Sequence, residues 1–261
     1  MENLLVTALK TSGAALLEYF NRPFEVKQKE SQSSIVTEAD LESERIIIGL
    51  IKEKFPSHNI ISEESGFTDN KSEYTWIIDP LDGTSNFASG LPWFGVLISV
   101  LKNSTPIMGG AYLPVQDTLY FAEAGKGTYR NGESLRMLSD KDLKDSLFSF
   151  CTDFTDDITS LNRGAEIFKY IVKASRNIRS TNSLVDFIYT AEGGFGGVIN
   201  LFTKIWDICA PALIISEVGG VMKNLNGSSI QFNVTEGLIN QNFAVIAGSK
   251  QIVDSLTDTL K

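Results

Sequence analysis

The sequence predicts a mixed fold, α+β in its first half and α/β in its second, and three observations predict it. Apolar residues recur at helical spacing at the start of the chain and in several later segments. Runs rich in β-branched and aromatic residues between 94 and 123 are broken by turn residues, as in an antiparallel meander. Past about residue 140, strand-like and helix-like segments alternate.

Taken in order, Leu4, Leu5, Ala8, Leu9, Leu16 and Leu17 predict an amphipathic first helix ending near Asn21-Arg22-Pro23. Residues 24–36, with Lys27, Lys29, Ser31, Ser33 and Ser34, read as a polar loop. A second helix begins at Thr37–Asp40 and carries Ile46, Ile47, Leu50 and Ile51. Ile60-Ile61 and Trp76-Ile77-Ile78 read as interior strands, and Pro80 is expected to turn the chain out of its sheet. Strands over 94–102, 105–113 and 117–123 form the meander, and Asn131-Gly132 marks a tight turn. The cluster Ser139-Asp140-Lys141-Asp142 interrupts the apolar pattern and marks a seam between halves 1–140 and 141–261, without a true linker.

Beyond the seam come a strand at Leu147–Phe150, a helix over 159–174, a strand near Ile178, a helix over 182–192 and a strand at Val198–Phe202. A helix following Asp207, strands at Val221-Met222 and Phe243–Ala247, and a last helix from about 249 complete the chain. The glycines of 193–197 are expected in a turn rather than a phosphate loop, because no helix follows them.

At 261 residues and 43% hydrophobic, the chain buries a substantial core. Its formal charge of −9 leaves no basic stripe for nucleic acid, whereas an acidic site that recruits cations fits. Cys151 and Cys209 lack metal-type spacing and His58 is the single histidine, so a histidine-rich zinc site is excluded and both thiols are expected inside. Glu2, Lys10 and Glu18 interrupt the N-terminal apolar pattern, and no later run reaches about 18 apolar residues. A soluble cytoplasmic protein, bound neither to membrane nor to nucleic acid, is the expectation.

The chemistry concentrates in Asp79-Pro80-Leu81-Asp82-Gly83-Thr84-Ser85. An apolar strand runs into two carboxylates that repel unless a cation lies between them, and oxygen-only ligands favour Mg²⁺. Gly83 permits close backbone approach, and Thr84 or Ser85 begins a short helix whose free N–H groups face an anion. A plain exposed turn is the alternative for this segment. Ile60-Ile61-Ser62-Glu63-Glu64-Ser65-Gly66 repeats the design, and Trp206-Asp207 places an acid at the start of an apolar helix, where a simple N-cap is the alternative. Ser65, Thr84 and Ser85 have no histidine partner, which argues against a covalent serine mechanism.

These segments, with Glu217-Val218-Gly219-Gly220, Thr37-Glu38-Ala39-Asp40 and residues 125–132, resemble the inositol monophosphatase family of metal-dependent, lithium-sensitive phosphatases over nearly the whole chain. The resemblance implies an alternating α/β/α/β/α sandwich of the inositol monophosphatase and fructose-1,6-bisphosphatase type. It implies that Glu63, Asp79, Asp82, Asp207 and the Leu81 carbonyl hold two or three Mg²⁺ ions, and that the N–H groups of Gly83 and Thr84 hold the phosphate. Thr84 with Asp40, or Glu63, would orient and deprotonate the attacking water. Lys29 would sit on a lid, and Ser183, Leu184, Asn200 and Asp207 would meet the substrate. Asn200 stands where inositol-specific members carry an acid. A homodimer is also implied.

The expected activity is hydrolysis of a small phosphorylated polyol resembling inositol 1-phosphate. Alternatives are the same chemistry on histidinol phosphate, fructose 1,6-bisphosphate, NADP or adenosine 3',5'-bisphosphate, or a regulatory binding protein that keeps the fold. The complete set of acids favours turnover.

Overall fold

A computed structural model of the chain describes residues 1–22, 25–29, 35–136 and 141–260. Helix α1 (Glu2–Phe20) buries Leu5, Leu9 and Leu16, the stripe its spacing predicts. Pro23, Ser31, Ser33 and Ser34, and Ser139 and Asp140 of the expected seam, lie outside the described residues. The polar segment holds more structure than expected. Strands β1 (Val26–Gln28) and β2 (Ile35–Thr37) pair antiparallel, with Val26 opposite Thr37. An exposed strand of three residues has no apolar alternation to reveal it. Helix α2 (Glu38–Lys54) then starts on a capping box in which Thr37 and Asp40 exchange hydrogen bonds.

Strands β3 (Asn59–Ser62), β4 (Gly66–Thr68) and β5 (Tyr74–Asp82) lead to the short helix α3 (Thr84–Ala88). The meander follows as β6 (Gly95–Lys102), β7 (Thr105–Leu113) and β8 (Thr118–Glu123), extended by β9 (Gly127–Arg130) and β10 (Glu133–Ser134). Asn131 and Gly132 make the turn before β10, both with positive φ. These strands form one sheet in the order β10-β9-β8-β7-β6-β5-β3-β4, antiparallel except for the β3–β5 pair.

The second half contributes β11 (Leu147–Cys151), α4 (Ile158–Ala174), β12 (Asn177–Arg179), α5 (Leu184–Ala191), β13 (Phe195–Thr203), α6 (Ile205–Glu217), β14 (Val221–Asn224), β15 (Phe243–Gly248) and α7 (Lys250–Thr259). Its sheet runs β12-β11-β13-β15-β14, with β11 parallel to both neighbours.

Period-two patterning sends neighbouring residues of each strand into different cores. Trp76 and Ile78 pack under α1 and α2, while Ile77 faces the layer of α5 and α6. In the second sheet Val198 meets that middle layer, and Ile199 meets α4 and α7. The result is the α/β/α/β/α order, with central strands such as β5, β6 and β11 buried on both faces. No helix among the described residues is long and apolar enough to cross a membrane.

Two local expectations are corrected. Strand β5 does not leave the sheet at Pro80 but continues to Asp82, with a register irregularity between Asp79 and Asp82. A bulge tolerates a residue without an N–H, so proline alone does not end a strand. The glycine run turns only at Gly193 and Gly194, since β13 already begins at Phe195. The small side chains let that strand lie close to its neighbours: a Cβ on Gly197 would meet the Ala247 carbonyl oxygen at 2.8 Å.

Candidate active site

The irregular end of β5 delivers Asp79 and Asp82 to one place, and the first turn of α6 delivers Asp207 from the second half. Carboxylate oxygens of these three lie within 4.8 Å of one another. Each acid has one backbone donor: Leu81 N–H donates to Asp79 Oδ1 at 3.0 Å, Leu184 N–H to Asp82 Oδ1, and Lys204 N–H to Asp207 Oδ2 at 2.6 Å. Asp207 is therefore not the N-cap of its helix but sits three residues in, reaching back to the N-cap backbone.

Glu63, at the end of β3, lies within hydrogen-bond reach of Asp79, yet it also accepts from Lys29 Nζ at 2.9 Å. The same ammonium pairs with Glu64. Lys29, expected on a lid, thus bridges the two glutamates beside the aspartate trio.

Helix α2 supports the site from below. Asp40 is buried and accepts from the Thr37 N–H and hydroxyl, each at 2.7 Å, and from the Thr84 hydroxyl at 3.1 Å. The same Thr84 hydroxyl lies 2.9 Å from the Leu81 carbonyl. One turn on, the Ser43 hydroxyl donates to the Pro80 carbonyl at 2.6 Å, and Glu44 accepts from the Ser65 N–H and hydroxyl. Gly83, at φ +86°, turns the chain between Asp82 and Thr84, and a Cβ there would lie 2.6 Å from the Trp93 carbonyl oxygen. Only glycine takes that conformation in that space without strain.

Burial and mutual repulsion raise the acids' proton affinity. Burial, then Glu63 and Asp82, hold the Asp79 pKa well above the usual carboxylate range, and burial with Asp207 does so for Asp82. Asp207 is pushed up to about 7 by burial against the pull of the Lys204 N–H, and Asp40 to about 6 by burial against the Thr37 bonds. Burial raises Glu63 as well, with Lys29 opposing. Burial works against the Lys29 ammonium, but Glu63 and Glu64 outweigh it and push its pKa up.

Convergent carboxylate oxygens with few donors suit a hard divalent cation, so the residues present fit Mg²⁺. Among the substrate candidates, Ser183 caps α5 and its hydroxyl accepts from the Val185 N–H. Leu184 reaches the acids only through its backbone, its side chain being fully buried in the core. Asn200 is buried, and its amide oxygen accepts from the Phe202 N–H at 3.1 Å. A cavity of about 780 Å³ lined by Asn59, Thr75 and Ser104 lies at the other end of β5 and includes none of Glu63, Asp79, Asp82 and Asp207. Both cysteines are buried and free.

Sequence reasoning missed Ser43, Glu44 and the N–H groups of Leu184 and Lys204. The first two had a legible signal, since Asp40, Ser43 and Glu44 continue the buried stripe of Ile47 and Ile51 with polar side chains. The two N–H groups had none.

A model of the inositol monophosphatase family matches residues 1–259. A fructose-1,6-bisphosphatase/inositol-1-monophosphatase of Aquifex aeolicus is 34% identical over 258 residues, covering 97% of this chain and 92% of that protein. A protein named Nus factor SuhB from Pasteurella multocida is 32% identical over 229 residues, covering 87% and 86%. Among solved structures, an inositol monophosphatase from Anabaena (Nostoc) sp. PCC 7120 superposes with TM-score 0.83 at 29% identity, covering 99% of this chain and 94% of that one. The extragenic suppressor protein suhB from Bartonella henselae gives 0.88 at 26% identity, covering 100% and 98%.

Proposed function

The chain belongs to the inositol monophosphatase family and is a phosphatase of that family; from that premise we propose that it is a Mg²⁺-dependent phosphomonoesterase acting on a small phosphorylated polyol. The observation that carries this is the convergence of Asp79, Asp82 and Asp207 beside the Thr84–Asp40 pair.

Glu63, Asp79, Asp82, Asp207 and the Leu81 carbonyl are assigned to two or three Mg²⁺ ions. When bound, Mg²⁺ there would neutralise the phosphate's charge and make a water molecule acidic enough to attack. The chain's own groups do the rest. Gly83 and Thr84 present backbone N–H groups to the phosphate oxygens. The Thr84 hydroxyl orients the attacking water, and Asp40, held by Thr37 and facing that hydroxyl at 3.1 Å, receives its proton. Glu63 is the second base, released when Lys29 lets go of it. No protein nucleophile takes part.

Ser183, Leu184 and Asn200 are assigned to the substrate's alcohol side, Leu184 through its backbone. With its oxygen committed to Phe202, Asn200 offers a hydroxyl its N–H donors rather than a carboxylate acceptor. That supports a substrate broader than inositol 1-phosphate, and the Aquifex relative's double name supports fructose 1,6-bisphosphate beside it. The halves 1–140 and 141–261 are taken as the two parts of the site, the first carrying most of the metal ligands and the second the last ligand and the substrate residues. A cytoplasmic, lithium-sensitive homodimer completes the reading.

The test is phosphate release from a panel of monoesters, with inositol 1-phosphate, fructose 1,6-bisphosphate, histidinol phosphate, NADP and adenosine 3',5'-bisphosphate among them. Activity is expected to require Mg²⁺, to rise more steeply than simple saturation and to vanish in Asp79→Asn. A metal-independent rate would overturn the mechanism. A second reading is favoured by the relatives named Nus factor SuhB, at 29% to 32% identity, namely a regulatory role for the same fold. Absence of metal-dependent turnover on every substrate would select it.

A further inference from the structure

One carboxylate beside the acids has no part in the mechanism above. Asp153 lies two residues beyond Cys151, the last residue of β11, and Cys151 is paired in parallel register with Asn200 of β13. The chain therefore leaves β11 at the level of Asn200, and sheets of this kind take their ligands beyond the carboxyl ends of parallel strands.

Two independent contacts fix where Asp153 sits. Its Oδ1 accepts from the Asn182 side-chain amide at 2.9 Å. Asn182 stands at φ +51°, a left-handed conformation that asparagine tolerates better than most residues. The two residues that follow it reach the centre of the site: a Cβ on Gly83 would lie 3.0 Å from the Ser183 Cβ, and the Leu184 N–H donates to Asp82. The charge of Asp153 is also felt at Asp207, whose proton affinity it helps to raise. Asp153 thus stands beside Ser183 and within electrostatic reach of Asp207, on the side of the site assigned above to the substrate's alcohol.

Its own bonds leave it incomplete. Asp153 is half-buried, and burial raises its pKa against the opposing bond from Asn182. Among the described residues its second oxygen accepts nothing, and no lysine or arginine pairs with it. It is not one of the three carboxylates that converge on one another. Holding the Asn182 turn requires one oxygen and no charge, which an asparagine would supply. A half-buried carboxylate with a single neutral donor favours a further donor beside it.

Asn200 is its complement. The amide oxygen there is taken by the Phe202 N–H, so that position offers donors only. A polyol brings a proton with every hydroxyl and needs acceptors as well. We propose that Asp153 is the specificity-determining acceptor on the alcohol side of the site, receiving a hydrogen bond from a substrate hydroxyl while Asn200 donates to a hydroxyl oxygen. A carboxylate after β11 then stands in for the one absent from β13. This rests on the phosphomonoesterase reading and names the residue that favours hydroxyl-bearing esters within it.

Asp153→Asn tests it, because the variant keeps an oxygen for Asn182 and removes the charge. Steady-state kinetics compare inositol 1-phosphate with phenyl phosphate, whose alcohol side has no hydroxyl. The ratio of their kcat/KM values is expected to fall about 10- to 100-fold, the range for a hydrogen bond to a charged group, through KM rather than kcat. Asp153→Asn combined with Asn200→Asp returns a carboxylate to the pocket from β13 and should restore most of the ratio, a rescue that a purely structural role would not give. An unchanged ratio, an equal loss on both esters or a failed rescue overturns the assignment. So does a loss confined to histidinol phosphate, which would make Asp153 a partner for an ammonium. A fall of about tenfold or more in Mg²⁺ affinity by calorimetry also overturns it, since that is the cost of losing a metal-supporting group. No turnover of any ester by the native chain overturns the phosphomonoesterase reading and this assignment with it, whereas the other failures leave that reading standing.

Discussion

Asp186 and Asp207 occupy the same local structure and serve opposite ends. Each lies three residues into a helix and accepts from the backbone N–H that precedes it. Asp186 is then surrounded by neutral donors: the hydroxyls of Ser149 at 2.6 Å and Thr181 at 2.7 Å, the Cys151 thiol at 3.2 Å, and the Thr181 and Ser183 N–H groups. Asp207 has its single N–H bond and faces Asp79, Asp82 and Glu63. A carboxylate whose lone pairs are filled by donors ties the fold together. One that meets only other carboxylates awaits a cation.

The contrast breaks most sharply at Asp79. Asp79→Asn is expected to lower the phosphatase rate by more than about 100-fold, beyond what loss of a supporting partner costs. In the presence of a chelator its melting temperature should hold or rise, because one like charge has gone. A collapse of the fold in that variant would make the two acid sites equivalent.

Asp186→Ala should do the reverse. It strands several buried donors and should cost about 3 kcal/mol of stability, read from urea unfolding. The Mg²⁺ affinity of the folded fraction, measured by calorimetry, should stay unchanged.

pH sharpens the same comparison. Asp40 at about 6 and Asp207 at about 7 bind protons more tightly folded than unfolded, where the ordinary value is 3.8. Their stabilising contribution is complete below that value and is lost as pH rises through 6 and 7. The chelated protein should therefore melt at lower temperature at pH 8 than at pH 5, and added Mg²⁺ should abolish the slope. Asp186→Ala should keep it.

The smallest expected effect lies at the far end of β5. His58 stacks between Phe55 and Tyr74, and its Nδ1 accepts from the Trp76 indole N–H at 3.0 Å. Burial lowers its pKa from 6.5, so its contribution is complete above that value and is lost as pH falls below it. His58→Gln should flatten this opposite, shallower slope in chelated melts, and leave the slope from the acids.

Much of the site was legible because it is local. Strand, acid, proline, acid, glycine and threonine follow one another in Asp79–Thr84, and backbone chemistry constrains what six successive residues do. The capping box of Thr37 and Asp40 was likewise written at a spacing of three. The continuation of β5 through Pro80 was not legible, because whether a proline ends a strand depends on whether its neighbour strand asks for an N–H there. Nor was the pairing of β1 with β2, whose residues are too few and too polar for any periodicity.

By itself, then, the sequence determined which residues carry oxygen, roughly where the helices and the core strands lie, and that both faces of the central strands are apolar. All of these follow from covalent geometry and residue-by-residue patterning. The tertiary structure alone decided that Leu184 would donate to Asp82 from 102 residues away, that Lys29 would bridge Glu63 and Glu64, and that Asp186 would be saturated while Asp207 would not. Those outcomes turn on how two sheets and a shared helical layer pack, and a hydrogen-bond donor is supplied by whichever segment packing brings within about 3 Å, whatever its place in the chain.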